Sequence, residues 1–380
     1  MEKFSTWRDP GTGIQPFLTP VPPAQGSSAL LKVYAPFGYV VGAVRTVFFI
    51  TPLALYVVGQ IVGLLLTPVP PIRRAVSNLF TAISTRLALA LLGLLWIPVE
   101  VVTRRKGRSA GPPETWNPRP GDVIVSNWCS WIELLYLAFR WNPIFILPIA
   151  EEPSSTDSRP TSSQSTPGRR TGTGSAAIST PTSNSRPRVP ILGWKQVSLL
   201  EMISHSGHGP LSPRKGDAAP PMSLEQIREK ADRPVVVLPE CTTSNGRAVL
   251  RFADVFTNVP VPVKAFQVFV MCVRYDPPTA ADPSLSHSIP SSGIPNPISH
   301  LFTLLSSPAI LRTMSIRLLA PSDSPSSQSF VASDFLSPGA KDQLGEACAQ
   351  LIAQLGKFKR TTILGWEEKM AFFEFYRQKA

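Results

Sequence analysis

Cysteine and histidine are both scarce in this 380-residue chain, at four residues each. Cys129, Cys241, Cys272 and Cys348 stand singly with no Cys-x-x-Cys spacing, which argues against a zinc site or a disulfide framework and fits a reducing, cytosol-facing compartment. His205 and His208 lie three apart near the end of a predicted helix and have no third ligand at sensible spacing, so no metal is expected. His287 and His300 read as solvated loop or helix-edge residues. Nowhere do basic and aromatic residues interleave as they do in nucleic-acid modules, so no nucleic-acid partner is expected. The opening Met1-Glu2-Lys3, followed by Pro10, Pro16, Pro20, Pro22 and Pro23, does not read as a cleavable signal peptide.

Acidic residues are the minority: 25 against 37 Lys+Arg, a net charge of +12. A basic chain of this kind suits an anionic membrane surface. Charge is missing altogether from Thr46 to Ile72 and from Leu87 to Val99. Arginines gather outside these runs, at Arg45, Arg73, Arg74, Arg104, Arg105 and Arg108, as they do at cytoplasmic ends of apolar segments. The second run would cover only about 20 Å as a helix, less than a hydrocarbon core. Pro52, Gly59, Gly63, Pro68, Pro70 and Pro71 interrupt the first. A helical hairpin embedded in one leaflet is therefore expected over 29–108, the alternative being a two-span anchor.

With 41 prolines, much of the chain lies outside any core. Residues 1–28 read as a flexible Pro-rich tail and 151–188 as a disordered Ser/Thr/Pro insertion in a domain over 109–335, with C-terminal helices over 336–380. Strands are predicted at 122–125, 144–149, 235–238, within 261–275 and at 315–319. Helices are predicted at 130–140, 194–205, 224–231 (opened by a Ser223/Gln226 capping box), 248–256, and after a Ser337-Pro338 start. Strands alternating with helices give an α/β class: a mixed sheet flanked by helices.

The most informative stretch is Leu238-Pro239-Glu240-Cys241-Thr242-Thr243-Ser244-Asn245-Gly246-Arg247, a buried strand running into hydroxyls and then a predicted helix carrying Arg247 and Arg251. Helix N–H groups, hydroxyls and guanidiniums together suit a phosphate. The plainer alternative is that Thr242, Thr243 and Ser244 only cap the helix. A second block, Ser126-Asn127-Trp128-Cys129-Ser130-Trp131-Ile132-Glu133, lies where the first strand passes into its helix.

These blocks resemble those of the phospholipid/glycerol acyltransferase family. The first resembles its Phe-Pro-Glu-Gly-Thr-(Thr or Arg)-Ser block, with Cys241 at the glycine. The second is similar to its Asn-His-x-Ser-x-x-Asp block, with Trp128 at the histidine and Glu133 at the aspartate. Val259-Pro260-Val261-Pro262-Val263 looks like the family's Val-Pro strand. The Asn-Trp-x-Ser variant, the 242–247 loop and Gly365-Trp366-Glu367-Glu368-Lys369 look most like fungal lysophosphatidic acid:oleoyl-CoA acyltransferases.

The resemblance implies a glycerolipid acyltransferase fold, acyl-CoA as co-substrate with no bound cofactor, a lysophospholipid acceptor, and an endoplasmic reticulum or lipid droplet location facing the cytosol. Glu240, Thr242, Thr243, Ser244, Arg247 and Arg251 are then expected at the acceptor phosphate, and Asn127, Trp128, Ser130 and Glu133 at the reaction centre. An indole N–H only donates, so Trp128 cannot act as base, and Glu133 is the nearest candidate. Glu133 is also placed to close a Ser-x-x-Glu capping box with Ser130. The Trp128 substitution motivates the other reading, a silent lipid-binding or trafficking protein on the same fold; a membrane-shaping hairpin would leave the acceptor-like loop unexplained.

Overall fold

A computed structural model describes residues 4–23, 29–104, 114–151, 186–213, 220–257, 259–335 and 341–379. Two long helices come first, α1 (Ala29–Leu65) and α2 (Pro70–Leu91). They are followed by β1 (Val99–Val102), β2 (Val123–Ser126), α3 (Ile132–Trp141), β3 (Ile144–Ala150), β4 (Ile191–Val197) and α4 (Leu199–Ser204). Then come α5 (Leu224–Glu229), β5 (Val235–Val237), β6 (Ala248–Val249), β7 (Val268–Tyr275), α6 (Ile298–Ser306) and β8 (Met314–Leu319). The chain ends in α7 (Gln343–Gly356), β9 (Lys359–Arg360) and α8 (Trp366–Lys379).

Seven strands form one sheet in the order β1-β8-β7-β2-β5-β3-β4. It is mainly parallel, with antiparallel pairs β7·β8 and β3·β4. Central strands covered on both faces read as unbroken aliphatic runs. Val123, Val125, Val235 and Val237 point to one face, onto Leu344, Cys348, Leu351 and Leu355 of α7. Ile124 and Val236 point to the other, onto α3, the end of α2, and Leu304 and Leu305 of α6. Both sequence blocks leave the carboxyl ends of adjacent strands, β2 and β5, where open α/β sheets form their clefts.

Several expectations change. The 248–256 segment is not a helix: Leu250 N–H donates to Glu240, Arg251 N–H to Leu364 and Ala253 N–H to Pro239, while Ala248–Val249 pairs with β9. The segment is buried against α7 on one side and Leu364 on the other, so apolar spacing of three and four reflects enclosure rather than a helical stripe. The 194–205 helix is the edge strand β4 followed by short α4, which Ser198 caps. Asp342, not Ser337, caps α7, and Ser337-Pro338 lies outside the described residues. The Ser223/Gln226 capping box on α5 is present with both of its bonds.

The membrane segment differs as well. Pro36 and Pro52 sit inside α1 without ending it, and Pro70 and Pro71 open α2 instead. Residues Pro36–Leu65, mean hydropathy 2.0, are long and apolar enough to cross a membrane by length and composition. The second arm is α2, to which the Leu-rich run 87–99 adds only its last turn, 87–91. Leu89, Leu92 and Leu94 are core, and the chain turns at Gly93 (φ +88°), where a Cβ would stand 2.3 Å from the Ile310 carbonyl oxygen.

Within the expected flexible tail, residues 4–23 pack on α8: Phe17 is 1% exposed and lies tilted against Phe372, with Phe4 and Trp7 beside it. The aromatic face of α8 is thus met by the N-terminal segment. Most of the 151–188 insertion (152–185), together with Arg105 and Arg108, lies outside the described residues.

Candidate active site

The block after β2 is tied down by its own side chains. Asn127 bridges to β7, its amide nitrogen donating to the Val273 carbonyl (2.9 Å) and its oxygen accepting from Val273 N–H (2.8 Å). Trp128 is 1% exposed, and its indole N–H donates to the Ser130 carbonyl at 3.1 Å. That N–H is spent on backbone, and no acceptor atom stands where a base would be. Ser130 Oγ accepts from Ile132 N–H at 3.4 Å.

Glu133 is fully buried in the first turn of α3. Its Oε1 accepts from the N–H groups of Cys129 (2.5 Å) and Ser130 (2.8 Å), closing one half of the capping box. Its Oε2 accepts from the Tyr275 hydroxyl at the end of β7. Burial pushes the carboxyl up to about 7, against the pull of these hydrogen bonds. The cap and the tyrosine contact therefore fall on different oxygens of one side chain.

Glu240 joins the two blocks, accepting from Trp128 N–H (3.4 Å) and Leu250 N–H (3.3 Å); Ser244 N–H in turn donates to the Trp128 carbonyl. Cys241 sits at φ +55°, the left-handed conformation that glycine adopts without cost, which accounts for a glycine in the resembling block. Cys129 and Cys241 are both buried, and burial drives their thiols well above the ordinary range, so neither is an activated nucleophile.

The hydroxyls of the loop are buried and engaged internally. Thr242 donates to the Gly207 carbonyl (3.3 Å), Thr243 to the His287 carbonyl (2.5 Å), and Ser244 Oγ accepts from Gly246 N–H (3.3 Å). They shape the loop and do not face a ligand. Arg251 is also removed from the expected phosphate set: its guanidinium pairs with Glu367 (3.1 Å) and Glu368 (3.2 Å) in a nearly buried cluster. Arg247, by contrast, is exposed.

Arg247 lines a cavity of about 300 Å³ together with Arg274, Lys357, Tyr275, Ser284 and Ser286. Three cations face Asp276 alone there, and Pro20 of the N-terminal segment forms part of the rim. Tyr275 thus borders this basic cavity while donating to Glu133.

Sequence reasoning missed Tyr275, Arg274, Lys357, Lys369 and His287. Lys369 of α8 is fully buried, with Nζ donating to Thr242 Oγ1 (2.9 Å), the Thr243 carbonyl (2.5 Å) and Thr243 Oγ1 (3.3 Å). Burial holds its amine well below the usual lysine range, partly offset by Glu240. The only available signal was a lysine amid the aromatics of the last helix. His287 and His300 are not solvated: their rings stack at 4.8 Å, and the His287 backbone N–H donates to the Cys129 carbonyl. Among the described residues no cluster has the donors for a metal.

Comparison with known proteins gives one matching relative, a Schizosaccharomyces pombe protein named "Putative lysophosphatidic acid:oleoyl-CoA acyltransferase". It is 24% identical over 289 residues, covering 74% of this chain and 76% of that protein. No family model matches, and no solved structure matches. The similarity supports a general acyltransferase function for this chain.

Proposed function

We propose that this chain moves a fatty acyl group from acyl-CoA to lysophosphatidic acid, giving phosphatidic acid and free CoA, on the cytosolic face of an endoplasmic reticulum membrane or lipid droplet. The observation that carries the reading is the Tyr275–Glu133 hydrogen bond beside a cavity lined by Arg247, Arg274 and Lys357. The cations hold the acceptor phosphate, and its free hydroxyl then lies against Tyr275.

As the acceptor oxygen attacks the thioester carbonyl, its proton passes to Tyr275 Oη while the tyrosine proton passes to Glu133 Oε2. Collapse of the tetrahedral intermediate expels the CoA thiolate, which takes the proton back along the same pair. Tyr275 stays a phenol throughout, in keeping with a hydroxyl held well above its ordinary range by burial and the facing carboxylate. A carboxyl poised near neutrality is suited to such transfer. Positioning two bound reactants supplies a further part of the acceleration, about 7 to 11 kcal/mol.

The relative's printed name agrees with this substrate pair. Incubating the purified full-length chain with oleoyl-CoA and lysophosphatidic acid, and following phosphatidic acid by mass and free thiol, tests the reading. The second reading, a silent lipid-binding protein, is favoured by one observation, the buried Trp128 in place of a base. It predicts lysophosphatidate binding with no thiol released.

A further inference from the structure

A second cavity of about 300 Å³ lies at the tip of the α1–α2 hairpin, lined in part by Gln60, Arg73, Arg74, Ser77, Asp232 and Arg233. It shares no lining residue with the cavity at Arg247 and sits at the other end of β5, since Asp232 and Arg233 precede that strand and Glu240 follows it. Three guanidiniums face one carboxylate. Asp232 pairs with Arg74 and with Arg233, each at 3.3 Å, while Arg73 makes no ion pair among the described residues. The net charge is that of an anion site, and Gln60 and Ser77 add neutral hydrogen-bonding groups.

The surroundings narrow the anion. α1 packs along one narrow stripe: Gly38 and Gly42 meet Ser306 of α6, Arg45 donates to the Leu305 and Ser307 carbonyls, and Gly59 meets Phe80 of α2. The helix is therefore held to α6 from Gly38 to Arg45 and to α2 at Gly59, near the cavity at its end. Its other side is exposed and apolar, with Val40, Val47, Val58, Ile61 and Leu65 all more than 45% accessible. Leu64 lines the cavity itself, and Ile72 stands beside Arg73, exposed. A basic pocket opening beside such a face matches an amphiphile with an anionic head rather than a free anion.

We propose that this pocket holds the headgroup of an anionic membrane phospholipid, with its acyl chains along the outward face of α1. The lipid is a resident of the surrounding bilayer and not a reactant, and its site is separate from the acceptor cavity. It holds the hairpin with α1 along the membrane surface instead of across it.

The test measures retention of labelled phosphatidylserine and phosphatidylcholine by the full-length chain in neutral detergent micelles. Arg73→Gln combined with Arg233→Gln should weaken phosphatidylserine retention about 20- to 30-fold, from roughly 1 kcal/mol per basic residue, and leave phosphatidylcholine retention unchanged. Should the double variant not fold, Arg73→Gln alone, which breaks no ion pair among the described residues, should weaken it about fivefold, and Arg73→Lys should retain most of it. Unchanged retention in a folded variant overturns the proposal. So does displacement by inorganic phosphate at the concentration of the lipid, which marks a simple anion site, or loss of retention in Arg247→Gln, which places the lipid in the acceptor cavity.

Discussion

Tyr275, at the last position of β7, donates its hydroxyl to Glu133 in the first turn of α3, so one hydrogen bond joins the cavity wall to the buried carboxyl. This bond also holds the Glu133 pKa down against burial. Tyr275→Phe should lower kcat about 10²-fold or more and move the acid limb of the pH–rate profile to higher pH, because the carboxyl loses a donor that favours its ionised form. Steady-state rates across pH check both effects.

Arg247 and Arg251 should separate cleanly. Arg247→Ala removes an exposed cation from the cavity proposed for the acceptor and should raise KM for lysophosphatidic acid with little change in melting temperature. Arg251→Ala leaves Glu367 and Glu368 buried without their partner and should cost about 3 to 5 kcal/mol of stability. Denaturant titration beside the kinetic assay distinguishes the two.

Lys369→Met should destabilise the 240–247 loop by about 1 to 3 kcal/mol, since the Thr243 carbonyl and Thr242 hydroxyl lose a buried donor. Amide exchange over 240–247 should then quicken more than over β2.

Asn245 clasps the N-terminal segment, its side-chain nitrogen donating to the Gln15 (2.7 Å) and Leu18 (2.9 Å) carbonyls. Asn245→Ala should loosen residues 4–23, costing about 1 to 3 kcal/mol, and expose the first twenty residues to limited proteolysis.

Much of the sheet was legible because its strands carry local signals: Val235–Val237 and Val123–Ser126 are short aliphatic runs, and the Ser223/Gln226 box marks α5 from four residues. The helix expected at 248–256 failed because its apolar spacing arises from contacts with α7 and Leu364, both far along the chain, which no local pattern carries. Likewise Arg251 looks like a ligand for phosphate until Glu367 and Glu368 arrive from the chain's far end. Asn127, Glu133 and Glu240 could be singled out from their blocks. Tyr275 and Lys369 could not, since each enters the site only through the sheet order and the packing of α8. The ordering of 4–23 was hidden for the same reason: proline content speaks of local freedom, and Phe17 is fixed by Phe372.

The most direct measurement is the pH–rate profile of phosphatidic acid formation by the wild-type chain and by Glu133→Gln. A glutamine keeps a carbonyl oxygen for the Cys129 and Ser130 N–H groups, so the cap survives while the proton acceptor is lost. The wild-type rate should rise with pH through about 7, as Glu133 ionises. The variant should fold, lose about 10²- to 10⁴-fold in rate and show no acid limb. Equal rates in the two proteins, with the same limb, would contradict Glu133 as the proton acceptor.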